Sequence, residues 1–248
     1  MNKPIALQLY TVRDLLKDDF EGVVRRVAQI GYEGVETAGF PESVTPRQAA
    51  SLFADLNLTV TSAHSPLPLG EDKNQVLDSM GELGCRRLVS GYLPPEEYDG
   101  LDKMKATCER LNEANAVAVA NGLTIGLHNH WFEFQPSGGV YPYQVWLEYL
   151  DRDVFFELDI YWIHSAGLDP VSIIEQFGER APLLHVKDGL TSSDTDAPMT
   201  ALGEGTLNLS AMLEASTAYA DWFIVELDRC ATDMMTAVEK SQAYLQSI

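Results

Sequence analysis

Four of the chain's five histidines close short apolar runs. His64 ends LTVTSAH, His128 and His130 end LTIGLHNH, and His185 ends LLH, while His164 stands apart. Other runs end in acids: Glu36 in GVE, Glu157 and Asp159 in VFFELD, Glu226 and Asp228 in FIVELD. Gln8, Lys187 and Arg229 stand beside such ends. Asp159, His185 and Glu226 come from three separate segments. Two carboxylates and an imidazole that converge on one point suit a single divalent ion such as Mn2+, Mg2+, Co2+ or Zn2+. Such an ion polarises a carbonyl or hydroxyl and acidifies the neighbouring C–H. A carboxylate beside it can then move that proton. Lys187 would supply positive charge to a developing enediolate, although loop lysines are more often solvated.

The convergence needs a scaffold, and the hydrophobic pattern supplies one. Strands are expected at Ile5–Leu9, Gly34–Thr37, Leu58–Ala63, Arg87–Ser90, Leu123–His128, Val154–Leu158, Leu183–Val186 and Phe223–Glu226. Helical patterns alternate with them, clearest at Leu101, Met104, Cys108 and Leu111. Thr45 before Pro46 and Asp169 before Pro170 are N-caps followed by proline at the first helical position. Gly31, Gly84 and Gly122 stand where helices close before a strand. Eight strand–helix units predict an α/β fold, a (β/α)8 TIM barrel, as a single domain over residues 1–248. A doubly wound sheet is the rival, but no glycine-rich phosphate loop follows the first strand. The longest irregular stretch, Asp188–Asn208, is of a length usually reserved for function or mobility. Barrel sites lie at the C-terminal strand ends, where all these polar residues fall. A strand must turn polar somewhere as it leaves the core, yet four histidines doing so on one face is rarely chance.

Composition narrows the partners. The 248 residues are 46% hydrophobic and 22% charged, ordinary for a globular protein, but the net charge is −20. Such a surface repels a phosphate backbone, so no nucleic-acid partner is expected. Cys85, Cys108 and Cys230 are too few and too scattered for a disulfide framework or a metal knuckle. No apolar run is long enough for a signal peptide or a bilayer span, which predicts a cytoplasmic protein without a membrane partner. Assembly into a homo-oligomer stays open.

LQLYTVRD, HNHWFEF, ELDIYWIHSAGLDP, HVKDG and LGEGTLN followed by VELDRC occur in order, one expected strand apart. In these segments, and over essentially its whole length, the chain resembles the xylose-isomerase-like TIM-barrel superfamily of sugar phosphate isomerases and epimerases. Members include ketose epimerases, hydroxypyruvate isomerases, dehydratases and endonuclease IV. In epimerase-like members one divalent metal is held by Glu, Asp, His and Glu from strands five to eight. The resemblance implies Asp159, His185 and Glu226 as the last three ligands, with Glu226 also an acid/base. It implies that His64, Glu36 and Trp162 face the substrate, and Gln8, His130 and Arg229 are taken with them as substrate-binding residues. On strand five His128 stands where relatives carry glutamate, so His128 is taken as fourth ligand and catalytic group, with Glu133 as the alternative.

The reading that follows is a metal-dependent isomerase or epimerase of a sugar, keto-sugar or polyol, opening with proton abstraction next to a metal-bound carbonyl. A lyase or dehydratase would share that step and then expel a leaving group. A non-catalytic sugar-binding relative is a third class, suggested by the missing strand-five glutamate. DNA repair of the endonuclease IV kind needs more histidines, since Trp162 stands where one would be required, and an HNH nuclease would need a dispersed motif. Arg13 and Arg229 could clamp an anion or merely pair on an acidic surface. No cluster forms a dedicated phosphate site, so the substrate is not expected to be phosphorylated.

Overall fold

A computed structural model describes residues 3–190 and 194–248. Eight parallel strands close into a barrel: β1 Ile5–Gln8, β2 Gly34–Thr37, β3 Thr59–His64, β4 Arg87–Ser90, β5 Thr124–His128, β6 Phe155–Asp159, β7 Leu183–Val186 and β8 Trp222–Val225. Ring closure pairs β1 with β8, setting Ala6 opposite Ile224 and Leu7 opposite Val225. The TIM barrel expected from the pattern is therefore the observed fold, with strand limits within about a residue of those expected.

Local sequence explains the helices between the strands. Thr45 and Gln48 form a reciprocal capping box at the start of the helix Pro46–Asp55. Asp169 accepts the free amides of Val171 and Ser172 ahead of Pro170–Phe177. Met104, Cys108 and Leu111 on the helix Leu101–Ala120 are buried against the main core, which lies between the barrel and its helical ring.

Inside the barrel, side chains repeat every second residue. Ala6, Val89, Phe155, Leu183 and Ile224 make a small apolar plug of their own. Gly126 is needed there because a Cβ would collide with the ring of Phe155. Two residues further along the same strands the inward face becomes polar at once: Gln8, His128, Glu157, His185 and Glu226, all buried. The site is thus the next layer of the barrel filling.

After β7, the long connection carries a two-residue pairing of Asp188–Gly189 with Met199–Thr200. Residues 191–193 of the expected loop lie outside the described residues. Among the described residues, no helix is long and apolar enough to cross a membrane.

Candidate metal centre and substrate cavity

His185 is the hub of the polar layer. Its Nδ1 lies 2.8 Å from Glu226 Oε2, and its Nε2 lies 2.7 Å from Glu36 Oε2 and 3.1 Å from Glu157 Oε2. Burial disfavours its cation, but the three carboxylates outweigh that and hold the ring protonated well above the ordinary histidine range. Glu36 is fixed from the other side, accepting from Gln8 Nε2 and from Ser62 Oγ at 2.5 Å each. Burial opposes its charge, yet the His64 and His185 cations keep it ionised well below the usual carboxylate range.

Lys187 follows two residues after His185 and points the same way. Its ammonium is fully buried and lies 2.8 Å from Asp159 Oδ2, 2.8 Å from Glu226 Oε2 and 2.7 Å from Asp228 Oδ2. Lys187, expected as a source of positive charge, is thus not the solvated loop lysine of the alternative: three carboxylates offset the cost of removing its charge from water. Lys187 and His185 in turn overcome burial and depress the Glu226 carboxyl well below its ordinary range.

Asp159 divides its carboxylate between two tasks. Oδ1 caps the short helix Ile160–Ser165 by accepting from Tyr161 and Trp162 amides, which leaves Oδ2 directed at Lys187. Asn129 locks the end of β5 to that of β6, accepting from the Asp159 amide at 2.9 Å and donating to the Asp159 carbonyl. His128 stands over this junction, its ring centroid 4.6 Å from that of His185. Burial and the neighbouring His185 and His130 charges push its pKa well below the ordinary value, so it is neutral.

One ligand atom from each of His128, Asp159, His185 and Glu226 can be chosen so that all lie within 4.8 Å of one another. A shared tetrahedral ion about 2.1 Å from each would draw such atoms to about 3.4 Å apart. The donor set fits a borderline divalent ion. His128 is already in the neutral form that ligation requires, and His185 would have to give up a proton. A second convergent set, His64, His128, Glu157 and His185, overlaps the first through two imidazoles.

A cavity of about 760 Å3 opens above this layer, and His64, His128, His130 and Glu226 line it. His64 Nε2 lies 2.7 Å from Glu157 and 3.3 Å from Glu36. Burial disfavours its cation, but those carboxylates raise its pKa to about 10. Gln8 and Glu36, expected to face the substrate, are fully buried with Asp159 and His185 behind these residues, and none of the four is in the lining.

Three further expected positions lie elsewhere. Trp162 is buried rather than facing the cavity, with its ring 5.3 Å from Lys187 Nζ and 5.1 Å from the Trp131 ring. The cap on Asp159 turns it into the helix and under the lysine. Arg229 donates to Thr195 O and pairs with Asp196 at 3.1 Å, so the acidic loop takes it from the cavity. Glu133 does not join either ligand set. It accepts from the His130 amide at 2.8 Å, bracing that loop instead.

Glu157 stands with Asp159 at an expected strand end but has no role assigned from the sequence; it precedes Asp159 by two and so shares its inward face. Its pKa is raised by burial and then by the Glu36 charge.

A family model described as xylose isomerase-like TIM barrel matches residues 24–248. No curated protein sequence matches the chain. Among solved structures, a sugar phosphate isomerase/epimerase from Parabacteroides distasonis has a TM-score of 0.82 at 26% identity, covering 100% of this chain and 94% of that one. The probable 3-DHS dehydratase AsbF of Bacillus anthracis gives 0.78 at 14%, covering 98% of each chain. IolI, a protein with a bound zinc atom, gives 0.75 at 16%, covering 98% of this chain and 97% of that one. The last two likenesses are of fold alone.

Proposed function

The chain belongs to the xylose isomerase-like TIM-barrel family, and from that premise we propose that it is a divalent-metal-dependent isomerase or epimerase of a sugar or keto-sugar. The observation that carries this reading is the convergence of His128, Asp159, His185 and Glu226, of which His128 and Glu226 line an open cavity. These four would hold the ion, which supplies Lewis acidity toward a substrate carbonyl or hydroxyl. The zinc of the structurally similar IolI protein supports a metal in this fold.

The chain's own groups then divide the work. Glu226 faces the cavity as a carboxylate and is the candidate to take the proton from the carbon next to the carbonyl. Lys187, fixed against Asp159 and Glu226, offsets negative charge that develops as the proton leaves. Glu36, Gln8 and Ser62 hold His185 and His64 in place, so the imidazoles need not reorganise.

A dehydratase is the second reading, favoured by His64. This ring is protonated from below and lines the cavity, where it can donate to a departing hydroxyl. Proton-exchange NMR in D2O across ketoses, keto-sugars and inososes tests both. Exchange at the carbon next to the carbonyl with retained composition supports isomerisation, and loss of water supports the lyase. A protein that binds no stoichiometric metal and does not respond to Mn2+ or Co2+ would be a non-catalytic relative.

A further inference from the structure

The cavity is larger than a single small sugar needs. Its volume of about 760 Å3 lies in the range, roughly 300–1,000 Å3, of pockets that enclose drug-sized ligands. Its two ends differ in chemistry. The imidazoles and Glu226 form the inner end, while Tyr10, Leu67, Tyr92 and Leu93 form an outer apolar wall. Tyr10 and Tyr92 keep 42% and 59% of their surface exposed, among the few large apolar side chains that do. The Tyr92 ring is set edge-on to His130 and Phe132, with centroids 5.3 and 6.1 Å away. An aromatic wall placed this way retains area to bury against a flat apolar group.

At the outer end, away from the metal site, charge disfavours an anionic substituent. Each nearby cation is already committed: Lys187 to three carboxylates and His64 to Glu36 and Glu157. Arg13 donates to the carbonyls of Tyr10 and Asp228, both at 2.8 Å, and covers one face of the Tyr10 ring at 4.0 Å. Arg229 is held by Thr195 and Asp196. Glu226 and Asp228 add negative charge to the lining. A phosphate or carboxylate held against the outer wall would find no free fork of donors to pair with.

We propose that the ligand is a neutral keto-sugar whose anomeric carbon carries an aromatic substituent, an aryl glycoside with a ring ketone, with the sugar ring on the imidazole floor and the aryl group against the Tyr92–Leu93 wall. This rests on the keto-sugar reading above and adds the class of substrate to it: the ring ketone keeps a C–H next to a carbonyl, and simple phenyl glycosides, which lack that ketone, serve as unreactive binding probes.

Calorimetric titration of the full chain with Mn2+ tests it, using common hexoses and pentoses, their phenyl glycosides and their phosphate esters. For at least one sugar configuration the phenyl glycoside binds about tenfold more tightly than the free sugar, the order that one stacked aromatic contributes. The phosphate ester binds no better than the free sugar. Tyr92→Ala, and separately Leu93→Ser, bring the ratio of glycoside to free-sugar affinity toward one, whereas a general structural defect would weaken both ligands equally. Phosphate esters that bind tightest, glycosides no better than free sugars, or a Tyr92→Ala protein with an unchanged ratio overturn the proposal and leave the sugar-site reading standing. If Mn2+ binds but no sugar does in any form, the sugar-site reading falls too.

Discussion

Lys187 is the residue whose surroundings depart most from its place in the chain, a loop position that becomes fully buried among Asp159, Glu226 and Asp228. Removing it strands three carboxylates. Lys187→Met is expected to cost about 3–5 kcal/mol, the scale for breaking a buried pair, as measured by urea unfolding of chelated protein. Glu226→Gln keeps shape and loses charge, so it should abolish proton exchange while leaving circular dichroism unchanged. Near-normal exchange in that variant would remove Glu226 from the acid/base role. His64 makes a pH prediction for the metal-free protein. Its folded pKa of about 10 exceeds the ordinary 6.5, so its contribution is fully present below 6.5 and is lost as pH rises through 10. Stability should therefore fall across that window, and His64→Asn should flatten the fall.

At the scale of elements, the loop after β7 is organised by one carboxylate. Asp188 accepts amides from Gly189, Gly203, Gly205 and Leu207 at 2.9–3.2 Å. Gly205 has no room for a side chain, since a Cβ would collide with that carboxylate and with the Gly189 nitrogen. Asp188→Ala should speed hydrogen exchange at Gly203, Gly205 and Leu207 while β1–β6 amides keep their protection. Uniformly faster exchange would mean that Asp188 supports the whole barrel. The element β6 shows the same economy: Glu157 and Asp159 share one inward face, and Asp159 also starts the helix that buries Trp162.

For the whole molecule, two quantities matter: a net charge of −20 and a polar core that would bind a cation. An ion that binds only the folded state stabilises by about 2.7 kcal/mol at a hundred times its Kd. Adding Mn2+, Co2+ or Zn2+ to chelated protein should therefore raise Tm, and Asp159→Asn should reduce the rise. A Tm indifferent to all of these ions would sink the metal reading. Self-repulsion among the surface acids should also be relieved by moderate salt.

The sequence by itself determined the barrel, the order of its strands and the polar residues at their C-terminal ends. Alternating apolar runs, capped helices and the two-residue strand period are local properties, and local properties are legible along a chain. His64, His128, Asp159, His185 and Glu226 could be named because each lies at or beside the C-terminal end of an expected strand. Only the tertiary structure decided which of the named residues meet. It drew Lys187 inward, gave Arg229 to Asp196, covered Trp162, turned Glu133 toward the His130 amide and brought Glu157 into the centre. Those outcomes depend on the height of each residue in the closed barrel and on where loops return. Both are set by contacts between residues far apart in sequence, such as His185 with Glu36, for which no spacing along the chain gives a signal.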